Sequence, residues 1–290
     1  MSAAPPPRVV VAGGGLVGAS IAYHLSLRGV KPILIEREEV AAAASGKAGG
    51  FLARGWGSGP TAALHELSFD MHAELAETLG LKTYRRLPTL SVKGGVKGRG
   101  KPLASWLDGA ARASLMDDGT AQVTPKELTT RLVEEAVARG AELRVGTVTG
   151  VRTEPITAAA AAATVVGDES DAPTRQMAAA LVGDGGEEVA CNALVIAMGP
   201  WSTVASDWFG IPIPMEGIKS TSIVFGGGAA NPAVAEPFAL FCEEDGRGCH
   251  LEVYPRPNGE IYLCGLGGSD YVSAERLKAG GDCESPSLIK

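Results

Sequence analysis

The sequence has few of the residues that bind metals or build disulfide frameworks. It contains 4 histidines and 5 cysteines in 290 residues, and no two cysteines are spaced C-x-x-C. His65 and His72 fall seven residues apart on one predicted helix, but the sequence supplies no third ligand nearby, so no metal site is predicted. The odd number of cysteines indicates reduced thiols, which predicts a cytoplasmic location.

An excess of positive charge and long apolar runs are also lacking. The 26 Lys and Arg residues stand against 33 Asp and Glu residues, a net charge of −7. This balance argues against a nucleic-acid partner and against a basic membrane-binding patch. No apolar run approaches the ~20 residues of a membrane span, and the N-terminus MSAAPPPR has no signal-peptide core. The composition, 45% hydrophobic and 20% charged, is typical of a globular protein with one large or two modest domains.

The most informative stretch is RVVVAGGGLVGASIAYHLSLRGVKPILIE, residues 8–36. A short apolar run at 9–12 predicts a buried parallel strand, residues 19–28 predict a helix, and 32–35 predict a second strand. Gly29 falls where a left-handed helix C-cap would lie. Between the first strand and the helix, Gly13, Gly15 and Gly18 have the spacing G-x-G-x-x-G.

Each part of this stretch has a physical role in binding a dinucleotide. Gly13 permits the tight turn, Gly15 leaves room for a pyrophosphate at the helix N-terminus, and Gly18 allows close packing of helix and strand. Glu36 is placed to accept hydrogen bonds from an adenosine ribose, and its charge disfavours the 2′-phosphate of NADP. The alternative is a glycine turn in another α/β protein. The ordered strand, helix, strand and acidic residue favour the dinucleotide.

The segment ASGKAGGFLARGWGSGP, residues 44–60, follows the second strand. Its six glycines are expected to exclude a stable helix. We interpret the segment as backbone that lies against a flat, bulky ligand with its N–H groups directed at that ligand. A surface loop without function is the alternative.

Two amphipathic helices are predicted further along the chain. The first, residues 61–80, begins at a capping threonine and carries a leucine-rich stripe assigned to the core: Leu64, Leu67, Met71, Leu75 and Leu79. The second begins at Thr124 as N-cap, with Pro125 at the first position and Glu127 completing a capping box, and it ends at Gly140.

The second half of the chain changes from α/β to mostly β. Residues 155–176 are alanine-rich and then polar, and are expected to form an excursion with little fixed structure. A hairpin at 177–189 and a buried strand at 193–197 follow. After Pro212, short strands at 220–225, 239–242, 249–254 and 260–264 predict an antiparallel meander.

Several of these pieces, in this order, resemble the FAD-dependent oxidoreductases of the D-amino-acid oxidase, glycine oxidase and sarcosine oxidase superfamily. They are the opening βαβ unit with Glu36, the loop ASGKAGGFLA, the helix TPKELTTRLVEEAVARGAELRVG, the strand ALVIAMGPWS and the strand pair EVYPRPNGEIYLCG. The resemblance runs over nearly all of the chain except the alanine-rich excursion.

The resemblance implies an α/β fold, with a Rossmann-like FAD-binding domain and an interleaved antiparallel-β substrate domain. The implied segments are 1–86 (FAD-binding), 87–120 (substrate), 121–210 (FAD-binding, with the excursion at 155–176) and 211–290 (substrate). The last is expected to be truncated, because the chain ends at GGDCESPSLIK without the closing βα element of the family.

FAD is the implied cofactor, and its contacts carry over residue by residue. Gly13, Gly15 and Gly18 would hold the pyrophosphate, and Glu36 the adenosine ribose. Leu16, Val17 and Arg37 are further implied cofactor contacts. The remaining implied contacts are Ser45, Gly46 and Lys47 near the diphosphate and ribityl chain, Ala48, Gly49 and Gly50 along the flavin, Val148 at the adenine, and Ala197, Gly199 and Trp201.

The resemblance implies an enzyme that oxidises the C–N bond of an amino acid or secondary amine by hydride transfer to the flavin. The small-molecule amine or amino acid is the expected partner. Weak candidates for substrate contacts are Lys219, His250, Tyr254 and Arg256, with strand-surface side chains as the alternative for each. Two other functions stay open: a catalytically degenerate FAD-fold protein with a binding or trafficking role, and an NAD-dependent dehydrogenase.

Overall fold

The structure is a computed structural model that describes residues 7–94, 103–107, 111–155, 175–183, 185–228, 230–244, 246, 248–267 and 269–279. Within these residues the contacts divide the chain into two compact units, the first made of 7–44, 132–216 and 273–279 and the second of 45–131 and 217–272. Contacts place 45–86 in the second unit, whereas the sequence assigned that segment to the cofactor-binding part. The segments predicted from the sequence group residues by the ligand that they would bind. Contacts within the chain do not test that grouping, so the segments stay a prediction.

The strands and helices are numbered here in chain order. The strands are β1 Val9–Ala12, β2 Ile33–Glu36, β3 Phe51–Leu52, β4 Arg85–Arg86, β5 Thr89–Lys93, β6 Arg112–Asp117, β7 Ala121–Gln122, β8 Glu142–Val145, β9 Val148–Pro155, β10 Arg175–Val182, β11 Glu187–Ala190, β12 Ala193–Ile196, β13 Gly217–Ser220, β14 Ile223–Phe225, β15 Ala239–Cys242, β16 Glu252–Pro255, β17 Ile261–Cys264 and β18 Ser269–Val272. The helices are α1 Leu16–Leu27, α2 Ala44–Lys47, α3 Ala62–Thr78, α4 Pro125–Ala138, α5 Ala205–Phe209, α6 Pro232–Ala235 and α7 Ala274–Lys278, with 3₁₀ turns at Gly59–Thr61 and Gly199–Val204.

The first unit contains a parallel sheet in the order β12-β1-β2-β8. All four residues of β1 are buried, as expected for a central parallel strand. An antiparallel sheet, β11-β10-β9, belongs to the same unit and includes the predicted hairpin. Side chains from both sheets form one core: Val10, Ala12, Ile35, Val148, Ala180, Val189 and Cys191. The predicted excursion at 155–176 lies largely outside the described residues.

Helix α1 connects the two central parallel strands and ends in a Schellman motif. The N–H of Val30 donates to the carbonyl of Leu25 at 3.1 Å, and the N–H of Gly29 donates to Ser26 at 3.0 Å. Gly29 has φ +78°, a conformation that residues with a Cβ rarely adopt. The predicted C-cap is therefore confirmed, and it returns the chain directly into β2.

The second unit is built on a six-stranded sheet in the order β14-β17-β16-β15-β5-β6. Three of its late strands, β15-β16-β17, form an antiparallel meander as predicted, whereas β14 pairs with β17 instead of its chain neighbour β15. Strand β15 pairs with β5 in parallel. One face packs Leu87, Ala239, Tyr254 and Tyr262 together, and the other packs Leu90, Val92 and Leu240. The small sheets β3-β7-β4 and β13-β18 complete this unit.

Helix α3 buries a different face from the predicted one near its start. Leu64 and Leu67 are 60% and 56% exposed, so their assignment to the core is wrong, although Leu79 is buried. The helix instead buries Phe69 and Ala76, seven residues apart. Periodicity locates a stripe along a helix, but it does not show how far the covering elements extend over that stripe.

The structure also differs from the predicted capping at the starts of α3 and α4. The Thr61 side chain makes no capping hydrogen bond to a backbone N–H of α3, and its hydroxyl instead lies 3.4 Å from His65 Nε2. At α4, the Glu127 carboxylate accepts the backbone N–H groups of Lys82 at 2.7 Å and Thr83 at 2.9 Å, while the N–H of Thr124 donates to the Thr83 hydroxyl at 2.9 Å. A connection more than 40 positions away in sequence therefore takes both partners of the expected capping box.

The glycine-rich segment begins with one helical turn, α2, where no helix was expected. This turn contains only Gly46 of the six glycines, and the other five follow it, so the low helix propensity acts after Lys47 rather than within the turn. The two-residue strand β3 then pairs with β7.

Candidate functional site

The turn between β1 and α1 leaves no room for side chains at two of its glycines. Gly13 has φ +104°, and a Cβ there would lie 2.3 Å from the carbonyl oxygen of Ala197. A Cβ on Gly18 would lie 2.0 Å from the carbonyl oxygen of Gly13. Both obstacles are backbone atoms, which cannot rotate away as side chains do. The turn therefore depends on glycine at these positions for its shape.

The N-terminus of α1 presents its positive dipole end without a side-chain cap. Gly15 is the N-cap residue and supplies no side-chain hydrogen bond, and the first turn contains no acidic residue. Val17, in that turn, is 64% exposed. Backbone N–H groups and the helix dipole together favour an anion at such an end, and the phosphates of a dinucleotide fit this chemistry.

Glu36 at the end of β2 is held by two backbone amides. The N–H of Gly14 donates to its Oε2 at 2.6 Å, and the N–H of Glu38 donates to its Oε1 at 3.1 Å. Each carboxylate oxygen retains a lone pair for a further donor. The carboxylate is therefore fixed beside the glycine turn with acceptor capacity to spare.

The other predicted cofactor contacts of the first unit lie around the same strands. The backbone N–H of Ala197 donates to the carbonyl of Ala12 at 2.8 Å, which fixes the end of β12 beside β1. The Arg37 guanidinium lies 4.8 Å above the ring of Trp201, within the 3₁₀ turn that begins at Gly199. Val148 is buried in the core of this unit, where its backbone is held in β9.

The loop 45–50, which carries the predicted flavin contacts, lies in the second unit. A Cβ on Gly49 would lie 2.7 Å from the ring of Tyr254 and 2.9 Å from that of Tyr262. Gly50 has φ +80°, and a Cβ there would lie 1.8 Å from the carbonyl oxygen of Val123. The loop backbone therefore packs directly on an aromatic face of the six-stranded sheet. Ser45, Gly46 and Lys47, at the start of this loop, belong to the helical turn α2.

Arg256 is buried and supports this loop, so the strand-surface alternative is wrong for it. Its side chain donates to Glu260 at 3.0 Å and to the carbonyl oxygen of Ala48 at 3.3 Å. The guanidinium lies 5.2 Å from the ring centroid of Tyr262. The contact with Ala48 joins residues 208 positions apart, which no local pattern indicates.

Tyr254 is also buried, at 3% exposure, and is not a strand-surface side chain. Its hydroxyl donates to the Glu252 carboxylate, which also accepts a bond from the Cys264 thiol at 3.4 Å. Burial and this acceptor raise the pKa of the Tyr254 hydroxyl, and burial and the negative charge of Glu252 raise the pKa of the Cys264 thiol to about 12. Sequence reasoning missed Glu252, although the alternation of a strand places residues 252 and 254 on one face.

The other two substrate-contact candidates lie elsewhere in the second unit. His250 is exposed and lies 3.3 Å from Glu244. Lys219 is on β13, in the two-stranded sheet, opposite Asp270. The structure therefore groups Tyr254 and Arg256 around the loop 45–50, and places Lys219 in a different sheet.

The two helical histidines take structural roles. The His65 ring lies against Gly57, where a Cβ would approach it to 2.1 Å, and His72 bonds the carbonyl oxygen of Ser68 at 2.6 Å. Across the described ranges, no group of three or more His, Cys, Asp or Glu residues is arranged to hold a metal ion. Cys191, Cys242, Cys249 and Cys264 are thiols rather than disulfides.

The parallel sheet, the glycine turn and the fixed carboxylate define an α/β dinucleotide-binding protein whose second unit carries an antiparallel sheet. The family model of the DAO FAD-dependent oxidoreductases matches residues 8–282, and the chain belongs to this family. FAD is the cofactor of the family, so the resemblance, the fold class and the cofactor predicted from the sequence are confirmed.

Individual relatives cover different parts of this chain. The protein C1F5.03c of Schizosaccharomyces pombe is 38% identical over 94 residues, and the 4-methylaminobutanoate oxidase (formaldehyde-forming) of Paenarthrobacter nicotinovorans is 36% identical over 87 residues; each match covers 29% of this chain. The matches span only 25% and 11% of those proteins' own lengths. The structure of glycine oxidase from Geobacillus kaustophilus superposes on this one with a TM-score of 0.68 and 18% sequence identity. The superposition covers 93% of this chain and 73% of the glycine oxidase chain, which shows a shared fold.

The residues of the first unit fit the adenosine diphosphate part of FAD. The turn excludes a Cβ at two glycines, the helix end carries no acidic residue, and the carboxylate of Glu36 is fixed by backbone amides.

No helix in the described part of the chain has the length and apolar character needed to cross a bilayer.

Proposed function

We propose that this protein oxidises the C–N bond of an amino acid or small secondary amine by hydride transfer to FAD. The observation that carries the proposal is the glycine turn beside Glu36, in a chain that belongs to a family of FAD-dependent oxidoreductases. The proposed cofactor contacts are the sequence-predicted set, from Gly13 to Trp201. A cytoplasmic location is part of the proposal and rests on the odd number of cysteines.

The protein's own residues supply binding and placement. The N-terminus of α1 binds the diphosphate, and Glu36 accepts the ribose hydroxyls. When bound, FAD supplies the acceptor for the hydride. An amine that arrives as an ammonium ion first releases a proton to water, and the nitrogen lone pair of the neutral amine then assists loss of hydride from the α-carbon. The product is an imine, which water hydrolyses after release, and no protein base is required for this step.

Two relatives support the amine class. One is an oxidase of 4-methylaminobutanoate, a secondary amine, and the other is an oxidase of glycine, a primary amino acid. Both substrates carry a nitrogen on a carbon that bears hydrogen. The proposal for this chain takes that shared chemistry and no more specific substrate.

Anaerobic reduction of the bound flavin tests the proposal. The protein is purified with FAD and mixed without oxygen with glycine, sarcosine, L-proline or 4-methylaminobutanoate, while the visible flavin absorbance is followed. We expect at least one amine to bleach the absorbance and yield the matching carbonyl product. Glycolate, which has a C–O bond in place of the C–N bond of glycine, is the control. Bleaching by glycolate alone, or by none of these compounds in a flavin-loaded protein, overturns the proposal.

A further inference from the structure

Glu252 lies on the aromatic face of the six-stranded sheet. Its register partners are Phe241 on β15 and Cys264 on β17, so these three side chains share one face. The next residue on this face along β16 is Tyr254, opposite Tyr262. This is the face on which Gly49 packs, so the carboxylate lies on the same surface as the loop predicted to line the flavin.

The carboxylate of Glu252 is only partly satisfied by its neighbours. The Tyr254 hydroxyl and the Cys264 thiol both donate to one oxygen, Oε2. Among the residues that the structure describes, no Lys, Arg or His forms an ion pair with Glu252. The side chain is half-buried, and a carboxylate withdrawn from water without a cation is costly. A positively charged ligand group would offset that cost.

The Tyr254 hydroxyl and the Cys264 thiol stay protonated near neutral pH, so both can donate to the carboxylate of Glu252. Burial and Glu252 raise the pKa of the Cys264 thiol to about 12, and the pKa of the Tyr254 hydroxyl is raised by the same causes. Neither side chain therefore adds negative charge near neutral pH. The cluster offers one carboxylate, oriented by two hydrogen bonds, rather than a diffuse anionic patch.

The two aromatic neighbours of this carboxylate, Tyr254 and Phe241, belong to a larger cluster of rings. Phe51 stacks on Tyr254 at 5.3 Å with an interplanar angle of 9°, and Phe241 meets Phe51 edge to face at 5.2 Å. Trp56 packs 5.5 Å from Phe241 and is 41% exposed, so the cluster is open at this side. Aromatic faces attract organic cations and also pack against the alkyl groups that these cations carry.

We propose that Glu252 binds the ammonium group of a small alkylamine substrate, with Phe241 and Trp56 in contact with its alkyl carbons. The inference rests on the proposed function and gives its substrate class: primary or secondary amines that arrive as cations and carry a compact aliphatic skeleton. A carboxylate acceptor beside rings selects against neutral alcohols of the same shape and against anions. Glu252 is thus a specificity-determining residue for the proposed reaction.

Binding of a cation that cannot be oxidised tests this inference apart from turnover. tert-Butylammonium has no hydrogen on the carbon that bears nitrogen, so it cannot transfer hydride, and tert-butanol is its neutral counterpart of the same shape. Calorimetric titration of the FAD-loaded protein is expected to detect tert-butylammonium. Glu252→Gln should raise its Kd about ten- to a hundredfold, the effect of losing a hydrogen bond to a charged group, and leave any affinity for tert-butanol unchanged.

Two further variants keep the test decisive. Glu243→Gln removes a carboxylate that is ion-paired with Lys93 at 2.7 Å at an exposed position, and its Kd should match the wild type. Glu252→Asp keeps the charge on a shorter side chain and should raise Kd less than Glu252→Gln; it carries the test if the glutamine variant does not fold. An unchanged Kd in a folded Glu252 variant, or no cation binding by the wild-type protein, overturns the inference. Failure of every amine to bleach the flavin would instead contradict the proposed function.

Discussion

Glu36, at the end of β2, is the residue on which the proposed choice of cofactor depends most directly. The backbone amides of Gly14 and Glu38 hold its two oxygens, so the charge stays beside the turn before any ligand arrives. Pre-organisation of this kind reduces the ordering cost of binding. It also explains why the residue type matters, because a neutral side chain would neither attract ribose hydroxyls as strongly nor repel a 2′-phosphate.

Replacing Glu36 should therefore weaken FAD binding. We expect Glu36→Ala to lose about 1.5–3 kcal/mol of charge-assisted hydrogen bonding, or roughly ten- to a hundredfold in affinity. Fluorescence titration of the flavin-free protein measures the change. Glu38→Ala is the matched control, because it keeps the backbone N–H that holds Glu36. Equal affinity in Glu36→Ala and wild-type protein would show that the adenosine binds elsewhere.

Gly18 provides a test of the turn itself. A methyl group at this position would lie 2.0 Å from the Gly13 carbonyl oxygen, so helix and strand must separate. Gly18→Ala should lower the free energy of unfolding by at least about 1–3 kcal/mol, measured by urea denaturation. Gly185→Ala is the control, since a Cβ there meets nothing within 4 Å, and we expect a change within about 0.5 kcal/mol. Equal losses in the two variants would show that the packing at Gly18 is loose.

The residues that sequence reasoning misjudged have partners far away along the chain. Arg256 precedes a proline in a turn, which indicates a surface position, but the carbonyl of Ala48 and the ring of Tyr262 bury it. Glu127 has the spacing of a capping box, but the amides of Lys82 and Thr83 occupy it. The glycine turn and the strand that ends at Glu36 were predictable because they belong to one continuous strand–helix–strand stretch of the sequence.

The hairpin of β16 and β17 supports the loop 45–50 from its turn. The N–H of Arg256 donates to the carbonyl of Glu260 at 2.7 Å, and the two side chains form an ion pair at 3.0 Å. Asn258 bonds the N–H of Glu260 within the same turn. The turn therefore fixes the guanidinium that donates to Ala48, and its stability affects a segment that is distant in sequence.

Acid should weaken this hairpin through Glu260. The Asn258 side chain and then the Arg256 guanidinium hold the pKa of Glu260 below its usual 4.5. The folded state thus binds the proton less readily than the unfolded state, so the stabilisation is present above about pH 4.5 and is lost as pH falls through the lower, folded pKa. We expect the stability difference between wild type and Glu260→Gln to shrink between about pH 6 and about pH 3 in urea denaturation.

The matched control for that series is Glu77→Gln, at an exposed position of α3. Its difference from the wild type should stay constant over the same pH range. A Glu260→Gln difference that is also constant would mean that the ion pair with Arg256 contributes nothing to the hairpin.

Strands and helices were predictable where the neighbours that bury their apolar residues belong to the same sheet. The buried run of β1 and the late meander are of this kind, because a strand's pattern reflects the two faces that its own sheet covers. Helix α3 is not, since the cover over Leu64 and Leu67 is set by other segments. The helical turn α2 was not predicted because it directly precedes five glycines, and the composition of the whole segment disfavours a helix.

The whole chain carries a net charge of −7, yet its proposed cofactor is itself an anion. General electrostatic attraction therefore cannot account for binding, and the local field at the N-terminus of α1 must supply it. Ligands should therefore bind according to which of these chemical groups they carry. Those with an adenosine and two phosphates engage both the helix end and Glu36, whereas FMN has neither the adenosine nor the second phosphate.

Ligand-induced stabilisation of the flavin-free protein tests that separation. ADP and FAD should each raise the midpoint of thermal unfolding, because a ligand present at about 100 times its Kd adds about 2.7 kcal/mol of stability. FMN at the same concentration should add much less, and adenosine 2′,5′-bisphosphate should fail because its 2′-phosphate meets the carboxylate of Glu36. In Glu36→Gln the discrimination against the 2′-phosphate should weaken, since the repelling charge is gone. Stabilisation by FMN equal to that by ADP would contradict an adenosine diphosphate site at the glycine turn.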